Sequence, residues 1–484
     1  MSAGTALGDD GHERGASVVK TATGIPGLDH VAMGGLPERR ATVLAGSAGS
    51  AKTVLSSQFL AEGIRRGVAG VFVTLEESAD DLRANLATLG FDVPAWEAAD
   101  EWRFVDVSPA LTSGAPARPG MDTLVAQIGH AVDATGAERL VLDSLNTVLT
   151  LTGDTAGARQ QLRLLITQLR AMGLTVLLTV ETREDPEGSL SRLEVEEFVA
   201  DSVILLRNSR EGAFRRRTLE VLKMRGAMHH KGEVAFTVLP GRGVVVLPVR
   251  APGEAVNLPG ERVGTGNTEL DEMTGGGLFR GSSLLVTGPS GAGKTLMATQ
   301  FAAEGLATGE KVLFLSYEET GEQVHRNARG WGHDFGAAED AGALTLRATY
   351  PEVASLDDHL VEITEQIERE QPGRLVIDSL SALERLGSTA AFLTFVIGVT
   401  SMVKQRGLAT LMTSSAGNVP DGASPAASHI SGLIDSIVLL RSTEVDDVLR
   451  RGLLVLKVRG SDHAMTAREF SIDSTGMVLR AQET

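Results

Sequence analysis

The chain has 484 residues, with an apolar fraction of 42% and a charged fraction of 22%. This is the profile of an ordinary globular protein with room for about two to four domains. Its net charge of −17 argues against a broad grip on nucleic acid or an anionic membrane, so neither is an expected partner. With no cysteine there are no disulfides, thiolate metal sites or thiol nucleophiles, and the expected compartment is the reducing cytoplasm.

Residues 1–16 are polar and Gly-rich, read as a flexible tail rather than a signal peptide. No run approaches the roughly 20 apolar residues that span a bilayer. From there, short Val/Leu/Ile runs at 41–44, 71–75, 140–142, 174–180 and 203–206 alternate with helical patterns such as 158–173, which ends on Gly173. Such runs suit strands buried on both faces of a parallel sheet. A stretch rich in Pro, Gly and charge, 250–262, reads as a linker.

After the linker the chain repeats itself. TGIPGLDHVAMGGL (23–36) returns as TGNTELDEMTGGGL (265–278), VFVTLEES (71–78) as LFLSYEET (313–320), RLVLDSL (139–145) as RLVIDSL (374–380), and LEVLKMRG (219–226) as LLVLKVRG (453–460). Lys52 and Lys294 lie 242 residues apart, and Lys223 and Lys457 lie 234 apart. So long a period is a duplicated domain, 17–249 and 263–484.

The most specific repeat is a phosphate loop. In GPSGAGKT (288–295), Gly288, Ser290, Gly291, Ala292 and Gly293 supply a turn whose backbone N–H groups face phosphates. Lys294 reaches the terminal phosphates and the Thr295 hydroxyl binds Mg²⁺. The first copy, GSAGSAKT, offers Gly46, Ser47, Gly49, Ser50, Ala51, Lys52 and Thr53, with Ala51 where the second glycine belongs. A Cβ there is harmless at negative φ and costly at positive φ. ATP and Mg²⁺ are the implied ligands.

Each loop has acidic company. Asp143 and Asp378 end apolar runs, as a Mg²⁺-holding aspartate does. Glu76–Glu77 and Glu318–Glu319 end another strand, on the side where α/β sheets bind ligands, and can orient or deprotonate an attacking water or hydroxyl; Glu318 is also a candidate metal ligand. Lys223 with Arg225, and Lys457 with Arg459, lie two apart on a strand and should point the same way, toward a neighbouring subunit's phosphate or as edge-strand charge.

Together these residues resemble the KaiC family of RecA-like ATPases over nearly all of 17–484. Further carriers are EEFVADSVILLRN (196–208), DSLSAL (378–383), SHIS (428–431) and VLKVRGSDHAMTAREF (455–470). The resemblance implies an α/β fold of two tandem RecA-like P-loop domains, each a mostly parallel sheet covered by helices, in a double-ring hexamer with ATP between subunits. It implies a first ring that mainly hydrolyses ATP and a second that phosphorylates its own hydroxyl residues. Glu76 and Glu77 would activate water, and Glu318, helped by Glu319, would accept the proton of a hydroxyl. Lys223, Arg225 and His229, and Arg451, Lys457, Arg459 and His463, would meet nucleotide. Trp331 is either an adenine neighbour or a core residue.

The family pattern of adjacent Ser and Thr after SHI is here Ser431 then Gly432, and a nearby upstream Thr is Ala426. Ser431 is therefore the single expected phosphoacceptor, and a two-site ordered cycle is not expected. Clock members continue past the position of Thr484 into a tail gripped by an activator, so control of that kind is not expected, and neither is a full circadian oscillator. The candidate partner beyond the homo-oligomer is a small regulatory or signalling protein. Two other readings stay open: a RecA/RadA-like motor on DNA, disfavoured by acidic or neutral candidate loops at 181–197 and 415–431, and a nucleotide-gated scaffold, disfavoured by the intact Glu pairs.

Overall fold

In the computed structural model, the structure describes residues 18–107, 121–150, 155–182, 199–211, 214–247, 260–415, 430–445 and 448–480. The proposed tail, most of the linker, most of both candidate DNA loops and Ala426 lie outside the described residues. The chain divides near residue 248 into two compact units.

In the first unit the strands are β1 (Ala41–Gly46), β2 (Gly70–Thr74), β3 (Trp102–Asp106), β4 (Arg139–Asp143), β5 (Thr175–Glu181), β6 (Ser202–Glu211), β7 (Phe214–Met224), β8 (Val234–Leu239) and β9 (Gly243–Leu247). They form one sheet in the order β9-β8-β7-β6-β1-β5-β4-β2-β3. β1 is parallel to both β5 and β6, and β2 to both β3 and β4, while β8 runs antiparallel to β7 and β9. Alternation along a strand sends Ala41, Val43 and Ala45 to one face and Leu44 to the other. The first set packs with Leu124 and Ile128 of α3 (Met121–Thr135) and Leu165 of α4 (Thr155–Ala171). Leu44 packs with Phe59 and Leu60 of α1 (Lys52–Arg65). A second helix on that side, α2 (Ala79–Ala87), buries Leu82 and Leu86. Two apolar faces covered by helices explain the near-continuous hydrophobic strands.

The second unit repeats the plan with β10 (Ser283–Gly288), β11 (Val312–Ser316), β12 (Leu344–Ala348), β13 (Arg374–Asp378), β14 (Ala409–Ser415), β15 (Ser436–Val445), β16 (Val448–Val458), β17 (Arg468–Asp473) and β18 (Gly476–Leu479). Their order, β12-β11-β13-β14-β10-β15-β16-β17-β18, is that of the first unit read from its other edge. The helices α5 (Lys294–Ala307), α6 (Gly321–Gly330), α7 (Leu356–Glu370) and α8 (Thr389–Arg406) follow the strands as their counterparts do. Among the described residues no helix is long and apolar enough to cross a membrane.

Candidate active site

Both phosphate loops leave the C-terminal end of a central strand, β1 or β10, and lead straight into α1 or α5. In an open parallel sheet this is where ligands bind. Neither helix has an acidic residue in its first turn, so each N-terminal dipole is unopposed. A Cβ at Gly46 would meet Leu206 O at 2.6 Å, and one at Gly288 would meet Leu440 O at 2.5 Å, so only glycine lets the neighbouring strand lie so close. Gly49 and Gly291 have φ of 72° and 73°. The residue before the lysine is left-handed in both loops, Gly293 at 101° and Ala51 at 67°. The costly alternative raised by the sequence is thus the one found at Ala51.

Lys52 Nζ donates to the carbonyls of Gly46 and Ser47, 2.9 Å each, and Lys294 Nζ to those of Gly288 and Pro289, 2.9 and 3.0 Å. Burial pushes both ammonium groups below the usual lysine range, opposed at Lys52 by Glu181, Asp143 and Glu76 and at Lys294 by Glu318 and Asp378. The Thr53 hydroxyl donates to Asp143 at 2.7 Å, and Thr179 donates to the other oxygen of the same carboxylate. Asp378 is held the same way by Thr413 and Thr295. Burial pushes both aspartates above the usual carboxylate range. Ser50 Oγ is buried without a hydrogen-bond partner. An amide-lined loop, a folded-back lysine and a Thr–Asp pair are the donor set that a Mg²⁺-nucleotide requires, so the residues fit ATP and Mg²⁺.

The Glu pairs stand at the same sheet end. Ser144 donates to Glu76 Oε1, as does Thr147 at 3.1 Å, and Ser379 donates to Glu318 Oε1 at 2.6 Å. The Asp143–Ser144 and Asp378–Ser379 peptide bonds are both cis. The second glutamate of each pair is fixed through its backbone, since Thr74 Oγ1 donates to Glu77 O at 2.5 Å and Ser316 Oγ to Glu319 O at 2.8 Å. Partial burial and then Asp143 raise the Glu77 carboxyl; partial burial and then Asp378 raise Glu319. A cleft opens beside Glu318 and Glu319, lined also by Tyr317 and Tyr350. Trp331 follows α6 and packs half-buried against the apolar core of the second unit.

The basic residues divide. Lys457 pairs across the sheet with Ile437, level with Leu285 near the start of β10. Its Nζ donates to the carbonyls of Ser431 and Ile434, 2.7 Å each, so Ser431 lies at this end too. A Cβ on Gly432 would meet nothing within 4 Å. Arg459 reaches Asp435, whose carboxylate also caps Ser283 N–H at the start of β10. In the first unit Lys223 Nζ donates to Ala200 O at 3.0 Å, and Arg225 N–H to Asp201 O at 2.9 Å. His229 is half-buried, with Nδ1 2.9 Å from His230 O, and His463 Nε2 is buried without a partner among the described residues. These groups sit at the end of the sheet opposite their own phosphate loop.

Arg225 and Arg459 directly follow the last residues of β7 and β16, Met224 and Val458, and their N–H groups still donate to Asp201 O and Asp435 O, 2.9 Å each, before Gly226 and Gly460, at φ of 72° and 78°, turn the chain. Lys457 and Arg459 both act on Asp435, so the two lie on one side. Arg451 pairs with Ser442 on the loop side, six strand residues or about 20 Å from Lys457. Its counterpart Arg217, 234 residues earlier, was missed; its Nε donates to Gly49 O of the phosphate loop at 3.3 Å. The repeat spacing alone could have found it.

A family profile described as "ATPase: KaiC" matches residues 21–251 and again 263–484. The chain is 46% identical over 465 residues to the circadian clock protein KaiC3 of Synechocystis sp., covering 95% of this chain and 91% of that one. It is 39% identical to the circadian clock oscillator proteins KaiC of Synechococcus elongatus, over 95% of this chain and 89% of the relative, and of Prochlorococcus marinus, over 96% and 93%. Two matched domains, each with its own phosphate loop and acid set, make this chain a member of the KaiC family of ATPases.

Proposed function

We propose that the protein is a cytoplasmic Mg-ATP-hydrolysing ring of identical subunits, a hexamer, whose second unit also phosphorylates Ser431 of the neighbouring subunit. The observation that carries this reading is the division of each unit. Loop, aspartate and Glu pair share one sheet end, while Lys223 with Arg225, and Lys457 with Arg459 and Ser431, hold the other. Groups so placed meet the same nucleotide only across a subunit boundary.

In the first unit Glu76 and Glu77 orient water and accept its proton as the oxygen–phosphorus bond forms and the bond to ADP breaks. In the second, Glu318 with Glu319 accepts the proton of the neighbour's Ser431 hydroxyl, its oxygen takes the phosphoryl group, and ADP leaves. Lys52 and Lys294 exchange loop carbonyls for phosphate oxygens. Thr53 with Asp143, and Thr295 with Asp378 and Glu318, would hold Mg²⁺, which would supply charge neutralisation. Lys223, Arg225 and His229, and Lys457, Arg459 and His463, stabilise the charge from the adjoining subunit, while Arg217 and Arg451 serve the loop side. Phosphate on Ser431 adds about −1.5 to −2 charge beside Lys457 and so alters subunit packing. The clock names of the relatives support a role in timing or signalling, read out by a small partner protein.

Size exclusion with light scattering, with and without Mg-ATP, followed by phosphopeptide mapping of the same sample, tests the reading. Six-subunit rings, released ADP and phosphate on Ser431 are expected. A monomer at saturating Mg-ATP overturns the ring, and an unmodified Ser431 under every condition overturns the autokinase.

A further inference from the structure

Each Glu pair is followed at once by a helix N-cap, Ser78 for α2 and Thr320 for α6. Seven residues after each cap stands an asparagine, Asn85 and Asn327. Seven residues are about two helical turns, so the asparagine shares the face of the cap, and a helical side chain leans toward the N-terminus. That direction leads to the second glutamate. Asn327 Nδ2 lies 3.2 Å from Glu319 Oε1 and 3.0 Å from Oε2. Asn85 stands at the matching place in the first unit, where it lowers the Glu77 carboxyl against the effect of burial. The asparagine recurs 242 residues apart, on a helix whose exposed side chains otherwise differ between copies.

We infer that Asn85 and Asn327 are positioning residues, whose amide N–H groups hold the second carboxylate of each pair in the orientation in which it receives a proton. This rests on the proposed reading of Glu77 and Glu319. The first glutamate is already steered by a hydroxyl from the turn after the Mg²⁺-binding aspartate. The second has its backbone tied to the strand end but, among the described residues, no such hydroxyl on its carboxylate, and Asn327 fills that place in the second unit. Only a donor serves, because the carboxylate is an acceptor.

Donor chemistry makes the test sharp. In the full-length assembled protein, Asn85→Asp keeps shape but replaces the donor with a like charge, whereas Asn85→Ala only removes it. Steady-state Mg-ATP hydrolysis is expected to rank wild type above Ala above Asp, with kcat of the Asp variant lower by about tenfold or more and KM within about twofold. The same order is expected for phosphate incorporation at Ser431 in the Asn327 series. A residue that merely packs gives the reverse, since Asp is the closer isostere. If Glu77→Gln abolishes turnover while Asn85→Asp is as active as Asn85→Ala, the inference falls and the function stands. If Glu77→Gln turns over like wild type, the reading of Glu77 falls and takes this inference with it.

Discussion

A single methyl group separates the two phosphate loops. Ala51 adopts φ of 67° at the position where Gly293 adopts 101°. A left-handed non-glycine residue costs about 1–2 kcal/mol, so Ala51→Gly should stabilise the first unit by about 1 kcal/mol and tighten its nucleotide affinity. Gly293→Ala should cost more than Ala51→Gly gains, because the added Cβ would also meet Met477 Cε at 3.1 Å and Ile472 Cδ1 at 3.4 Å. Thermal unfolding and fluorescent-nucleotide titration of both variants measure these effects. The same scale governs pH. Partial burial, then Asp143 and Asp81, raise Glu77, while Asn85 opposes them. A raised carboxyl is protonated at a higher pH than usual, and a protonated glutamate accepts no proton. Turnover should therefore fall with decreasing pH along a limb lying above the ordinary glutamate range, and hold on the alkaline side. A pH–rate profile that stays flat down to that range would contradict the assignment.

Strands and helices turn these residues into a site. Parallel strands put the chain's loops at two ends, and the route along β16 carries Arg451 to one end and Lys457 to the other. In the proposed ring a subunit would offer its phosphate loop to one neighbour and its Lys–Arg group to the next. Chains carrying Lys294→Ala and chains carrying Lys457→Ala should each fail to phosphorylate Ser431 alone. Dissociated and reassembled together, they should recover labelling, because some boundaries join an intact loop to an intact lysine. Continued silence in verified mixed rings would mean that both groups act within one chain. The helix caps work at this scale too, since Ser78 and Thr320 start α2 and α6 directly after the glutamates and so bring Asn85 and Asn327 back over them.

Over the whole molecule the two units share one strand order, and each carries its own phosphate loop with a folded-back lysine and a Thr–Asp pair. Ligand that binds only folded protein stabilises by about 2.7 kcal/mol at a hundredfold excess over Kd. Mg-ATP should therefore raise the unfolding temperature of both units, and Lys52→Ala or Lys294→Ala should remove that rise from its own unit alone, read by calorimetry. Loss from both units with either variant would show that the cradles are not independent.

The sequence by itself determined the duplication, the parallel α/β plan, both phosphate loops, the aspartates and the glutamate pairs, because these depend on local patterns: strand periodicity, glycine-rich turns and acids at strand ends. It carried Arg217 in plain view at the repeat spacing from Arg451, but gave no reason to select Asn85 and Asn327, since an Asn on a helix has no local signature. Only the tertiary structure decided that Ala51 is left-handed, that Lys457 reaches the carbonyls of Ser431 and Ile434, and that Arg451 and Lys457 are parted by about six residues of β16. Those features follow from which strands lie side by side and in what register, and pairing between residues far apart in the chain is fixed by the packing of the whole sheet.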